Sequence, residues 1–306
     1  MRPVPLLFIA VLLAGCTTPP TVPGWSEPVT VGRLGAADLN ESSGFAPSHR
    51  AANLLWSHND SGGEPVVYAV GTDGSDRGRV RLSGAINIDW EDIASFTLDG
   101  QAYLLIADVG DNLAVRTDCR LYVIAEPDPA TLATGREITV PVLWEIPVRF
   151  ADNPRDCESV SVDVAEKAVY LLSKREHPVG LYRLPLLPVA SGTTPAATFL
   201  THVPTMPQPT GPRLLVAGPA GRMGGMPVGM DFAADGAAAV VLTYMDVLVF
   251  PRTPGESWAE TLTRTPQQLK TVSLPQAESV CFSADGREIY VTTEGAHAPV
   301  VRYRVR

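Results

Sequence analysis

Four glutamates recur at the head of similar segments: Glu41-Ser42-Ser43-Gly44-Phe45, Glu91-Asp92-Ile93-Ala94-Ser95, Glu158-Ser159-Val160-Ser161-Val162 and Glu278-Ser279-Val280-Cys281-Phe282. A fifth segment, Val228-Gly229-Met230-Asp231-Phe232, carries valine at its head. The loops further along each segment hold His58, Asn59 and Asp60, then Asp108, Asp111 and Asn112, then Lys174 and Arg175, then Tyr244, and last Glu294. Carboxylates brought together raise one another's pKa unless a cation or a donor network intervenes. Ca²⁺ is the candidate cofactor, because it takes six to eight oxygens from carboxylates, amides and carbonyls. Its candidate ligands are Glu41, Glu91, Asp108, Glu158 and Glu278. Two other readings stay open: the glutamates accept main-chain N–H groups and the hydroxyls of Ser42, Ser159 or Ser279, stitching neighbouring segments, or they act directly in catalysis.

Lys174 and Arg175 are counter-charges for these acids or a grip for a ligand's carboxylate or phosphate. Tyr244 is a hydrogen-bonding or a packing residue, and His58 a base or a metal ligand. No second histidine stands at a metal-ligand spacing from His58, so zinc is unsupported. No nucleophile elbow, phosphate-binding glycine loop or dinucleotide fingerprint is present.

The segments that carry these residues follow one plan. The heads at 41, 91, 158, 228 and 278 are 50, 67, 70 and 50 residues apart. Each opens a strand, and Asp99-Gly100, Asp235-Gly236 and Asp285-Gly286 mark hairpin turns after it. Apolar second strands follow at 53–56, 102–107, 168–172, 238–243 and 288–292. Third strands lie at 66–70, 121–125, 181–184, 247–250 and 300–305, and fourth strands at 78–82, 140–148, 198–203 and 270–274. Repeated four-stranded meanders predict an all-β fold, a β-propeller of five blades, with a sixth degenerate blade within 186–226 as the alternative. The last unit lacks a fourth strand and the stretch 28–34 lacks the other three, so pairing the two closes the ring. In an antiparallel meander the start of strand one and the end of strand two share an edge. The heads and the loops 57–60, 108–112, 173–177, 243–246 and 292–297 therefore belong to one face. That face is expected to include Asp92 with the residues named above.

The first 15 residues read as a secretion signal, with Arg2 ahead of an apolar run and Leu13-Ala14-Gly15 before Cys16, where bacterial lipoproteins carry their lipid. Residues 16–24 form a proline-rich tether, and the propeller domain covers 25–306. This predicts an extracytoplasmic protein attached to a bacterial membrane through Cys16, at the outer membrane where the cell has one. Of the remaining cysteines, Cys119 and Cys157 are the preferred disulfide pair, closing a loop of about 38 residues, and Cys281 is a buried small hydrophobe. With 33 acids against 24 Lys and Arg, the net charge of −9 excludes a broad nucleic-acid surface. A monomer is expected, whose partner is a small molecule or a protein.

The segments Glu41 to Phe45, His58-Asn59-Asp60-Ser61, Asp89-Trp90-Glu91-Asp92-Ile93-Ala94, Ala107 to Asn112 with Arg116, and Thr243-Tyr244 together resemble a family of secreted bacterial propellers that is largely uncharacterised. More distantly the chain is similar to phytase-like and gluconolactonase-like propellers. The second likeness implies a divalent ion held by acids on one face for phosphoester or lactone hydrolysis. Two functions follow as expectations: binding of a ligand or partner at an acidic, loop-rich mouth, or Ca²⁺-assisted hydrolysis of a phosphoester, lactone or ester.

Overall fold

Both faces of nearly every strand are apolar, and the fold follows from burying both. In Gln101–Asp108, for instance, Leu104 and Ile106 enter one apolar cluster while Leu105 and Ala107 enter the next. A sheet buried on two sides needs a neighbour on each, and a ring of sheets supplies them. The computed structural model describes residues 24–188, 196–215, 221 and 223–306. They form five antiparallel sheets around an axis, a five-bladed β-propeller.

Blade 1 holds β2 (Ser42–Pro47), β3 (Leu54–Asn59), β4 (Val66–Gly71) and β5 (Asp76–Ser83). Blade 2 holds β6 (Trp90–Leu98), β7 (Gln101–Asp108), β8 (Arg120–Ala125) and β10 (Trp144–Pro147). Blade 3 runs through β11 (Cys157–Asp163), β12 (Ala168–Ser173), β13 (Val179–Pro185) and β14 (Thr198–Val203). Blade 4 has β15 (Pro227–Phe232), β16 (Ala238–Thr243), β17 (Val247–Pro251) and β18 (Gln267–Gln268). In blade 5, β19 (Ala277–Phe282), β20 (Glu288–Thr293) and β21 (Pro299–Arg304) are completed by β1 (Val29–Arg33), so the ring closes through the N-terminal strand as the sequence predicts. Helix α1 (Trp258–Thr263), started by a Ser257–Glu260 capping box, fills the β17–β18 connection. No helix among the described residues is long and apolar enough to cross a membrane. The leader and Cys16 lie outside the described residues.

The differences from expectation have local causes. The single strand expected at 140–148 is two: β9 (Glu137–Pro141) adds in parallel to the outer edge of blade 1, and β10 alone completes blade 2. Residues 270–274 are not a strand, because α1 occupies the return path and β17 finds its partner in the two-residue β18. Within 186–226 the described residues give β14 and a 3-10 turn at Gly211–Leu215, and no sixth sheet. The expected Cys119–Cys157 disulfide is not formed: both thiols are free and packed as small hydrophobes in the apolar cluster between blades 2 and 3. Burial pushes the Cys119 thiol up to about 12.

Five polar stitches join the innermost strands. The Ser43 hydroxyl donates to the Glu91 carbonyl at 3.1 Å, and the Val160 N–H donates to Asp92 Oδ2 at 2.8 Å. Next round the ring, the Phe232 N–H donates to Ser161 Oγ at 2.9 Å and the Phe282 N–H to Asp231 Oδ2 at 2.9 Å. The Gly44 N–H donates to Ser279 Oγ at 2.9 Å and closes the circle. Every blade boundary therefore has a side chain meeting the main chain across it, which leaves fewer buried amides without partners near the axis.

Candidate functional site: an acidic mouth

The heads of the repeats lie on one edge because of a shared irregularity. In β6, β11, β15 and β19 the ladder skips one residue, and that residue is Glu91, Glu158, Val228 or Glu278. Such a bulge frees a residue from the alternation of the pleat and re-aims its side chain. In blade 1 the irregularity lies between Ser42 and Phe45, and Phe45 occupies the register position of Ile93, Val160, Met230 and Val280. Counting back two residues puts Ser43 at the glutamate position. Glu41 is therefore displaced outward and is exposed, apart from the acid groups described below. The ring has three glutamates, and the break at Val228 stands.

Around these three, carboxylates from four blades form three linked groups: Asp60 with Glu278 and Glu294, Asp60 with Asp89 and Glu91, and Glu91 with Asp156 and Glu158. Within each group one oxygen per residue lies within 4.8 Å of the others. Asp89 and Asp156 were not singled out from the sequence, yet each stands two residues before a head glutamate, the place that Glu41 takes in blade 1. Gly110 leaves the room this needs, since a Cβ there would collide with Glu91 Oε1 and come within 2.5 Å of Asp89 Oδ2.

Lys174 is the one buried lysine among these acids; its ammonium is paired with Glu158 and sits 5.2 Å from the Tyr244 ring centre. Burial works against that ammonium's charge, and the carboxylates of Glu158 and Glu91 outweigh it. Tyr244 is buried and packs, as one of its two readings held. Arg175 Nε pairs with Asp156 Oδ2 at 2.6 Å, and its guanidinium also meets Asn112. Burial lifts Asp60 to about 7 and, against the pull of Lys174, Glu158 to about 8. Burial and neighbouring Glu294 lift Glu278 to about 10, and burial beside Glu158 raises Glu91. Burial and mutual repulsion thus favour the protonated forms of these acids, and an added cation favours the ionised ones.

Other expected face residues build the scaffold. Asp108 is outside the three acid groups, because Arg116 Nη2 holds its Oδ1 at 2.8 Å and the Asp89 N–H donates to the same oxygen. Asp111 ties its own loop, accepting from the Val115 and Arg116 N–H groups at 2.9 and 2.7 Å, while its own N–H donates to Asp156 Oδ1. Asn59 shapes the blade 1 loop, its Oδ1 accepting from the Asn40 and Glu41 N–H groups. His58 and Asp92 are corrections to the expected face. His58 lies wholly buried against Trp90, with burial lowering it to about 4, so it is a packing residue. Asp92 is buried between innermost strands, where it accepts from Ile93, Val160 and Met230 N–H groups.

A concavity of about 770 Å³ opens on the opposite face, where the first strands end, and Asp163, Asp231, Arg252, Trp258 and Phe282 are among its walls. Its polar groups are mostly satisfied internally: Asp163 Oδ2 accepts from Trp258 Nε1 at 2.7 Å and meets Arg252 at 3.2 Å.

No family model matches the chain. No curated protein matches it either. Among solved structures it is similar to a luciferin-regenerating enzyme, at 13% identity and a TM-score of 0.44 over 90% of this chain and 95% of that one. It is also similar to the Pan2 WD40 domain of Neurospora crassa, at 10% identity and a TM-score of 0.42 over 91% and 95%. A third is a putative 6-phosphogluconolactonase from Bacteroides uniformis, at 13% identity and a TM-score of 0.39 over 86% and 67%.

Proposed function

We propose that this chain is a binding propeller, held outside the cytoplasm by a lipid on Cys16, whose acidic mouth takes a positively charged group from a ligand or partner. The observation that carries the reading is the charge balance of the mouth: seven linked carboxylates against two paired cations, Lys174 on Glu158 and Arg175 on Asp156. Burying so many acids is unfavourable in the free protein, and an added positive charge offsets it. Ca²⁺ is the candidate ion, since each acid group offers three oxygens at close range.

Strand direction fits a tether. β1 pairs with β21 so that Arg33 lies beside Pro299 near the mouth, while Gly24 accepts from the Arg306 N–H at the opposite face. A lipid anchor reached through residues 16–24 then turns the mouth away from the membrane.

The test is melting and titration calorimetry of the full chain at pH 7.5 with Ca²⁺, Mg²⁺ or spermidine against a chelator control. A cation should raise the melting temperature by about 3 °C or more, as expected for ligand concentrations well above Kd, and should release protons. Unchanged melting with all three cations would sink the reading. A second reading, Ca²⁺-assisted hydrolysis of phosphoester, lactone or ester substrates, draws on Asp60, whose pKa of about 7 in the mouth suits a general base. Turnover in a screen of those substrates that depends on added Ca²⁺ and is lost in Glu91→Gln supports it.

A further inference from the structure

Bulky apolar side chains gather on the loops beside the mouth. Leu113 is 81% and Val115 66% exposed on the loop between β7 and β8, and Ile86 is 65% exposed on the loop entering β6. The first of these loops is rigidly built. Asp111 captures the N–H groups of Val115 and Arg116, Ala114 adopts a left-handed φ of 53°, and Arg116 reaches the Gly110 carbonyl at 2.7 Å. A turn fixed by three polar contacts while it holds two large hydrophobes in water adds nothing to the core. Apolar groups presented this way on a preorganised loop mark contact surfaces.

Two features continue the surface. Behind the loop lies a groove of about 220 Å³ whose walls set the apolar Cys119, Val148, Phe150 and Pro154 beside Arg116, Arg149 and Arg155, so it takes an apolar side chain and leaves a basic one to the mouth. In front, the Asp111 N–H and the Asn112 amide join the loop to Asp156 and Arg175 of the acidic mouth. Apolar seat and acidic well are thus parts of one continuous face.

We infer that this face docks a protein segment in which a large apolar side chain stands next to lysine or arginine. The inference rests on the proposed cation-binding role of the mouth and names its partner. The apolar side chain covers Leu113 and Val115 and enters the groove, while the basic side chain enters the carboxylate groups. Charge complementarity selects this occupant. A second copy of the chain would bring its own mouth of like charge, and an anionic lipid surface would be repelled by the same acids. The chain's own residues 17–23 carry no charge to satisfy the acids.

The probe is a fluorescent decapeptide of alternating leucine and lysine, compared by anisotropy with glycine–lysine and leucine–serine decapeptides on the full chain. The leucine–lysine peptide should bind at least tenfold more tightly than either control. The double variant Leu113→Ser, Val115→Ser should bring it down to the glycine–lysine level, with an unchanged melting temperature because both side chains are exposed. Equal binding of the two lysine peptides, or an advantage that survives in the double variant, overturns the inference and leaves the cation-binding mouth standing. Failure of both lysine peptides, together with no response to metal ions, takes the mouth reading down as well. Binding confined to phosphatidylglycerol vesicles, or self-association abolished by the double variant, assigns the surface to a membrane or a second copy and overturns the inference.

Discussion

Asp231 is a carboxyl whose charge state bears on stability. It is buried, its Oδ2 accepts from the Phe282 N–H across a blade boundary, and burial lifts it from 3.8 to about 7. A carboxyl raised on folding gives stability that is complete below its unfolded pKa and is lost as pH rises through the folded value. For Asp231 that window runs from about 4 to about 7, and Asp60 at about 7 and Glu158 at about 8 extend the loss in the same direction. His58, lowered to about 4, acts on the other side, losing stability as pH falls from 6.5. Three raised acids outweigh one lowered histidine, so the melting temperature should be highest toward the acid side, at about pH 4 to 5, and fall as pH rises to 8. Asp231→Asn keeps an acceptor for Phe282 and removes the charge, so its stability should fall less between pH 4 and 8, by on the order of 4 kcal/mol at full effect. Parallel curves of melting temperature against pH for the variant and the parent between pH 4 and 8 would refute this.

At the level of elements, the head of each innermost strand both edges the mouth and holds the neighbouring blade. In blades 2 to 5 the stitch stands one or three residues past the bulge, at Asp92, Ser161, Asp231 and Ser279, and in blade 1 it is Ser43 itself. Asp92 is the strongest stitch, because its carboxyl accepts three main-chain N–H groups, from Ile93, Val160 and Met230. Asp92→Ala strands two amides on other blades and should lower stability by about 3 kcal/mol or more, whereas Ser161→Ala, which strands only the Phe232 amide, should cost about 1 kcal/mol. Equal losses in denaturant titrations of the two variants would show that the stitches do not carry the axis. The repeat itself was legible, because a bulge at a fixed place demands a residue of fixed character. Blade 1 misled by two residues: Glu41 imitates a head glutamate, and only the pairing of Phe45 with Ser57 places Ser43 there. An even slip preserves the in–out alternation, so the hydrophobic pattern gives no warning. Asp89 and Asp156 were missed because they precede the strand, where spacing carries no constraint. The parallel addition of β9 was illegible for a related reason: its partner β5 lies 54 residues upstream at the nearest, and its own alternation fits either edge equally well.

For the whole molecule, one strand decides whether the ring is closed. β1 comes from the start of the described chain and pairs with β21, the last strand, over Val29 to Arg33. Trp25 bridges to Val305 and meets Phe282 at 6.3 Å between ring centres, while Ser26 and Arg304 exchange two hydrogen bonds. Without β1 the edge of β21 carries unpaired N–H and C=O groups and is a template for a second chain. Val31, which packs on the cluster between blades 5 and 1, is lost with it. Contacts between the two ends of the chain span nearly its full length, so they close the largest loop and form against the greatest entropy. A chain beginning at Gly35 should melt well below the parent and elute as dimers or larger species in size-exclusion chromatography. A chain beginning at Gly24 keeps every one of these contacts and should match the parent. If the chain that starts at Gly35 stays monomeric with the parent's melting temperature, closure by the N-terminal strand is dispensable, and the four remaining blades with three strands of the fifth hold the mouth together on their own.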